Sequence, residues 1–493
     1  MIEVNSKANS SNSDVTDTFN DKEFYRDSEQ LIDFISKSPS PYHVIDNIKK
    51  MLSANNMTEL SEKERWHLEA GHGYYVIRGN SSIIAFTIPQ EGASDNLGKT
   101  DDKRKYIYNG YNIVASHSDS PSFKLKEKPE IPGDNHYVSL NVEKYGGMIM
   151  STWLDRPLSI AGRAVVADNK GVKEYLINAD RDLLVIPNLA IHMNRNINES
   201  NELNAQKDML PLFGDESAKN KFDEYINSLL EPQLEADGWD NNEKTSQYTA
   251  ATELFLYNRE RGTIWGYNNE FISAPRLDDI QCAYSSVRAF VRAYCNKRDT
   301  ALEHIHKSNA STAKGVVKDK VNVCCVFNNE EVGSTTRQGA DSTFLSDVLE
   351  RISIASGKTR EEYMMALASS YMISADNAHA LHPNHQEKAD PTNRPYMNSG
   401  IVIKFNGNQK YTTDAASQAV FMNICKRADV PYQTYANRSD VAGGSTLGNI
   451  SNSHVSINTV DIGLAQLAMH SAYETAGVKD TTYMIAALTE FYA

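Results

Sequence analysis

Three short apolar runs in this chain each end on groups that an apolar core cannot hold. Tyr111–Ala115 runs into Ser116-His117-Ser118-Asp119, Val321–Phe327 into Asn328-Asn329-Glu330-Glu331, and Tyr371–Ser374 into Ala375-Asp376. Runs of this length, rich in Val, Ile, Tyr and Phe, read as strands. From Arg276 onward such runs alternate with helix-spaced segments. Ile280–Cys295, Ser342–Ala355, Ala415–Ala428 and Leu464–Ala476 read as helices, and Ile401–Phe405 as a further strand. Alternating strand and helix predicts an α/β sheet covered by helices. Open sheets of this class bind ligands beyond the carboxyl ends of their strands, so the three strand ends are predicted to face one crevice.

The rest of the chain sets the organisation around that sheet. At 493 residues it exceeds what one core usually holds. Ser28–Ser36 and His43–Asn55 carry helical spacing, Gly73–Arg78 and Ser81–Ile88 read as strands, and Pro89–Lys105 reads as an exposed loop. The middle section has several β-like segments and one amphipathic helix around Phe222–Leu230. The reading is a tail over 1–27, a catalytic domain over 28–121 and 273–493, and a β-rich insert over 122–272. The tail is Ser/Asn/Asp-rich with no apolar signal region, and no stretch approaches the roughly 18 apolar residues of a membrane span. A net charge of −14 argues against nucleic acid as a partner. The five Cys form no CxxC pair, which fits a reducing, cytoplasmic setting without disulfides.

Several carboxylates cannot share a dry crevice unless a cation is present, because like charges force protonation. Mixed His, Asp and Glu ligation suits zinc, cobalt or manganese. Each piece alone has a plainer reading. A lone Asp before an apolar helix, as Asp119 or Asp278 would be, is most often a cap. A Glu pair is usually a solvated turn, and His117 alone reads as a core histidine. Their ordered recurrence at strand ends is what favours chemistry.

The residues then become recognisable as a set. Ser116-His117-Ser118-Asp119-Ser120-Pro121, Gly146-Gly147, Ser151–Arg156, Leu189–Arg195, Ala274-Pro275-Arg276-Leu277-Asp278 and Glu330–Ser334 appear in order. So do Ser374-Ala375-Asp376, His379–Asn384, Val402-Ile403-Lys404, Gln409-Lys410-Tyr411, Gly444-Ser445-Thr446 and Leu467–Ser471. This set resembles the M18 metalloaminopeptidases, and among them the aspartyl aminopeptidase type. The resemblance implies an αβα metallopeptidase domain with a mixed sheet, interrupted by a β-rich oligomerisation domain. It implies two divalent metal ions, zinc in the first place, with a water shared between them as nucleophile. His117 and Asp376 would bind one metal, Glu331 and His470 the other, and Asp278 both. Asp119 would orient His117, and Glu330 would be the general base. His379 would stand beside the metals. His192 would reach a neighbouring subunit's site, within a homo-oligomer that the resemblance makes a dodecamer. Lys404, helped by Tyr411, would face the acidic side chain of an N-terminal Asp or Glu on a peptide with a free N-terminus. Asn329 and Asp279 depart from the family pattern, which usually has Asp and Asn there, and are read as adjusting the surroundings of the ligands.

Other readings remain open at this stage. Relatives of broader, Leu-type preference share much of the pattern, and a strand Lys such as Lys404 is usually solvated. A non-catalytic oligomeric scaffold is a further alternative. Gly92–Thr100 ends in Gly-Lys-Thr but has five residues between its glycines where a P-loop needs four. No G-x-S-x-G elbow supports a serine hydrolase. His379, His382 and His385 form an H-x-x-H-x-x-H run, but Pro383 breaks the helical spacing that a three-His site on a helix would use.

Overall fold

The computed structural model describes residues 19–89, 108–131, 136–168, 171–238, 249–306, 320–444 and 446–493. The loop expected over Pro89–Lys105 and the Gly92–Thr100 segment fall almost wholly outside them. The strand Val321–Phe327 forms with every residue buried, and Ile401–Phe405 with only its last residue half-exposed. Such nearly continuous apolar runs, broken only by Asn322 and Lys404, belong to a sheet covered on both faces. That sheet has nine strands, in the order Thr58–Glu59, Gly73–Arg78, Ser82–Thr87, Val321–Phe327, Tyr111–His117, Tyr371–Ala375, Asn458–Gly463, Ile401–Phe405 and Tyr432–Ala436. The four central strands, Val321–Phe327 through Asn458–Gly463, run parallel, so their carboxyl ends lie on one edge. Ser82–Thr87 and Ile401–Phe405 flank them antiparallel, which makes the sheet mixed.

Helices close both faces. Leu277–His306, Asp480–Tyr492, Asp21–Ser36 and Ala415–Arg427 share one apolar cluster with the sheet, and Phe344–Ala355 packs in the cluster on the other face. The helix Asp21–Ser36 opens inside the segment expected as tail. Asn20 caps it by accepting the Glu23 N–H at 3.1 Å, and Phe24 is already buried. Residues 1–18 of that tail lie outside the described residues.

A second sheet is built from Gly171–Asn178, Leu158–Asp168, Thr249–Asn258, Ser122–Ile131, Tyr137–Tyr145 and Leu212–Asp215, in that order. The helix Phe222–Ala236 packs on it and the two share a separate core. The stretch expected as insert, 122–272, ends differently from this sheet. Thr263–Trp265 and Phe271–Ala274 pair instead in a five-stranded sheet with Glu474–Gly477, Ala465–Leu467 and Ala378–His379. The six-stranded sheet meets the larger one through polar contacts. Tyr42 donates its hydroxyl to Glu253 at 3.0 Å, and Arg163 donates to the Gly79 carbonyl at 2.9 Å.

The helix expected over Leu464–Ala476 does not form. The segment is two short strands, Ala465–Leu467 and Glu474–Gly477, around a loop. Pairing of Glu474–Gly477 with Phe271–Ala274 overrides local helical spacing, and left-handed φ values of 55° at Ala468 and 67° at His470 exclude a helix there. No helix among the described residues is long and apolar enough to cross a membrane.

Candidate metal centre

The parallel register Phe327↔His117 brings two functional strand ends side by side. His117 closes its strand, Asp376 follows Tyr371–Ala375, and Glu330 and Glu331 form a short 3-10 turn just past Phe327. Asp278 enters from the start of the helix Leu277–His306, where its φ of −84° and ψ of 112° leave the helical region. His470 enters from the loop between the two short strands.

These groups meet. His117 Nε2 lies 3.8 Å from Asp278 Oδ1 and 4.0 Å from Asp376 Oδ1. His470 Nε2 lies 3.3 Å from Asp278 Oδ2 and 3.5 Å from Glu331 Oε2. Asp278 thus turns one oxygen to each histidine. Donor atoms about 2.1 Å from a tetrahedral ion lie about 3.4 Å from one another, and these separations are of that size. Among the described residues three overlapping groups have the spacing of a metal site: His117 with Asp278, Asp279 and Asp376; His117 with Glu330 and Glu331; and Asp278 with Glu331 and His470. Asp278 Oδ1 is buried without a hydrogen-bond partner. An orphaned carboxylate oxygen is costly unless a cation takes it, so the donor set fits a divalent metal.

The protonation pattern of the bare cluster points the same way. Burial pushes the Glu330 carboxyl up to about 8, and Asp376, Asp119 and Asp278 add to the shift against the opposing pull of His117. Burial likewise raises Glu331 and Asp376 above the usual carboxylate range, with Asp278 adding to both and Lys404 opposing at Asp376. Asp278 alone goes down, because His470, His117 and Lys404 outweigh its burial. The cluster holds more carboxylate than its two histidines and one lysine can balance.

Buried acids beside the cluster hold its backbone. Asp119 Oδ1 accepts the Glu330 N–H at 3.2 Å, and its Oδ2 accepts the Glu331 N–H at 3.1 Å and the Tyr145 hydroxyl at 2.7 Å. His117 Nδ1 lies nearer the Asp119 main-chain oxygen, at 3.0 Å, than its carboxylate, at 3.4 Å. Asp279 Oδ2 accepts the His117 N–H at 3.1 Å. Glu474 accepts the N–H of Asp278 at 3.0 Å and of His470 at 2.7 Å. Glu474 and Tyr145 escaped the sequence reading; the only signal for Glu474 was an acid within a segment read as a helix.

Lys404 is buried, not solvated. Its Nζ donates to the Asn377 carbonyl at 3.0 Å, lies 3.6 Å from Asp376 Oδ2, and stands 5.3 Å from the centre of the Tyr411 ring. Burial works to discharge it, but Asp376, Tyr411 and Asp461 outweigh burial and hold its pKa above the ordinary lysine value. His379 lines a pocket of about 330 Å³ that also includes His382, His385, Arg438 and Met469. Its side chain reaches solvent, yet the protein packed around the ring, and then Lys404, lower its pKa. His382 and His385 pair ring to ring at 5.0 Å, away from the three metal-type groups. His192 stands apart, exposed among Leu189, Ile191 and Met193, which are also exposed.

Known proteins share this architecture. The profile of the aminopeptidase I zinc metalloproteases (M18) matches residues 34–492. A probable M18 family aminopeptidase 2 of Clostridium acetobutylicum is 43% identical over 466 residues, covering 94% of this chain and 98% of that protein. One from Ectopseudomonas mendocina is 36% identical, covering 94% of this chain and 97% of that protein. Among solved structures, the complex of Ape4 and Nbr1 includes a chain that superposes with a TM-score of 0.81 at 34% identity, covering 95% of this chain and 86% of that one. The S. cerevisiae mApe1 dodecamer gives 0.74 at 26% identity, covering 95% and 97%. On that match and those identities, the chain belongs to the M18 family of zinc metalloproteases and is a metalloaminopeptidase.

Proposed function

We propose that this aminopeptidase holds two divalent cations and releases N-terminal Asp or Glu from peptides. The observation that carries the two-cation reading is Asp278, whose oxygens lie 3.8 Å from His117 and 3.3 Å from His470. His117 and Asp376 would hold one ion, Glu331 and His470 the other, and Asp278 both. The donor set suits zinc, with cobalt or manganese as substitutes. When bound, such ions lower the pKa of a water toward about 7 and stabilise developing negative charge.

The chain's own residues supply the rest. Glu330 is the general base: it takes a proton from the attacking water and passes it to the leaving amine. Asp119 fixes it by holding the N–H groups of Glu330 and Glu331. His379 stands at the wall beside the reacting carbonyl. Lys404, with its Nζ buried near Tyr411, faces the acidic side chain of the substrate. His192 and its exposed apolar neighbours fit a subunit contact, in which His192 of one chain completes the site of another. The dodecamer of S. cerevisiae mApe1 supports a homo-oligomer of that size here. All five cysteines are free thiols, which fits the reducing cytoplasm.

The test of the base is Glu330→Gln. It is expected to keep its metal content and to lose turnover by 100-fold or more, within or beyond the roughly 10²–10⁴-fold worth of a positioned acid–base group. Normal hydrolysis by the metal-loaded variant would overturn the assignment. Nitroanilides of Asp, Glu, Leu and Lys, assayed with and without chelator, decide the substrate class. A Leu preference would give the site to a neutral-type aminopeptidase, and no turnover at full metal content would give the chain to a scaffold role.

A further inference from the structure

Glu474 lies fully buried beside the cluster, yet nothing in the proposed reaction uses it. It sits at the start of the strand Glu474–Gly477, four residues beyond His470 and paired across the sheet with Ala274. Its two oxygens are spent on two backbone amides from distant parts of the chain. Oε2 accepts from Asp278 at 3.0 Å and Oε1 from His470 at 2.7 Å. Those two residues face each other, His470 Nε2 to Asp278 Oδ2, at 3.3 Å. One carboxylate therefore clamps the two chain segments that carry both groups.

The local backbone explains the need. Asp278 has left helical geometry and His470 has a φ of 67°. Neither amide is placed by a regular element, and Glu474 takes both; the carbonyls are held separately, that of Asp278 by Ser120 Oγ at 2.6 Å and that of His470 by the Ile149 N–H at 3.0 Å. A carboxyl group has an oxygen for each of two N–H donors, so one side chain can hold both. We propose that Glu474 is a positioning residue that fixes the separation of Asp278 and His470, and so governs the metal position formed with Glu331. The inference rests on the two-cation reading above. The other position, at His117 and Asp376, takes its backbone support elsewhere: from Asp279 to the His117 N–H at 3.1 Å, and from Ile462 to the Asp376 N–H at 3.0 Å. Loss of Glu474 should therefore loosen the ion at Glu331 and His470 more than the other, which shares only Asp278.

Glu474→Gln keeps the shape but offers one acceptor oxygen where two N–H groups need one each. Asp480 supplies the control. It is also fully buried and also accepts two backbone amides, from Asn398 at 2.7 Å and Gly400 at 3.2 Å, neither of which belongs to a metal-type group. The experiment titrates the full-length, metal-stripped protein with Co²⁺, following the visible absorption band and the heat of binding. Wild type is expected to take two equivalents per chain. Glu474→Gln is expected to weaken one equivalent by about 10–100-fold, the usual cost of losing a group that supports a ligand, and to weaken the other, which shares only Asp278, by less. Asp480→Asn should lower thermal stability while leaving both equivalents unchanged. If Glu474→Gln does not fold, Glu474→Asp, one methylene short, should weaken the same equivalent more than the other. Two equivalents of wild-type affinity in the Glu474 variant, or equal weakening of both, would overturn the positioning role while leaving the two-cation reading intact. A wild type that binds one equivalent would overturn both.

Discussion

Replacing Lys404 with Met removes the buried ammonium beside Asp376 while keeping most of the side chain's bulk. Lys404 Nζ already spends part of its field on Asp376 Oδ2 at 3.6 Å. A substrate carboxylate brought to about 4 Å from it would gain about 4 kcal/mol of attraction at an effective dielectric constant of about 20. Desolvating that carboxylate takes back part of the gain, and hydrogen bonds to charged groups contribute about 1.5–3 kcal/mol net. At about 1.4 kcal/mol per tenfold, the ratio of kcat/KM for Asp over Leu substrates should fall by roughly 10–150-fold. The ratio is the informative quantity, because loss of the cation beside Asp376 also disturbs the site for every substrate. The assay compares Asp- and Leu-nitroanilides at equal, verified metal content. An unchanged ratio would mean that Asp376 consumes the whole field of Lys404, and acidic selection would have to arise elsewhere.

Two further outcomes follow from charge and burial. Chelation should make stability fall as pH rises. In the bare cluster Glu330 is lifted to about 8, with Glu331 and Asp376 also raised, so their stability contribution is full below the unfolded carboxyl value and is lost as pH climbs through the folded one. Zinc should abolish that slope, and identical urea midpoints with and without chelator at pH 5 and pH 8 would refute the account. His43 works in the opposite sense. Its ring bonds Ser40 Oγ at 2.8 Å near a helix N-terminus, and burial lowers its pKa to about 4. Stability from neutral His43 is present above pH 6.5 and lost as pH falls toward 4, by up to about 3 kcal/mol. His43→Asn in the zinc-loaded protein should flatten that loss, and parallel pH curves for variant and parent would count against it.

What the sequence made legible follows from which forces act locally. Val321–Phe327 and Ile401–Phe405 were readable to the residue, because a doubly covered strand is apolar along most of its length, with Asn322 and Lys404 the exceptions here. His117, Asp376, Glu330 and Glu331 were readable because polar groups just past such strands have one edge to go to. Asp278 and His470 needed the family resemblance, since neither follows a readable strand. The segment Leu464–Ala476 misled for a related reason: its apolar spacing satisfies a helix, and only pairing with Phe271–Ala274 makes Glu474–Gly477 a strand.

The supporting acids show where such reading stops. Metal ligands are recognised by residue type, because few side chains can bind a cation. Asp119, Asp279 and Glu474 act instead by accepting backbone N–H groups, and every residue except proline offers one. Nothing in a one-dimensional pattern marks which amide lies within 3 Å of a buried oxygen. Glu474 and Asp480 make the point within six residues of each other: both are fully buried acids, and both accept two amides. One pair of amides belongs to Asp278 and His470, the other to Asn398 and Gly400. The difference between a clamp on the proposed metal centre and a clamp on an ordinary turn lies wholly in the partner. The same reasoning extends to Asp119, whose nearest service to His117 is its main-chain oxygen while its carboxylate holds the two glutamates. Residue type therefore points to what could hold an ion, and three-dimensional hydrogen bonding identifies what keeps those residues in place.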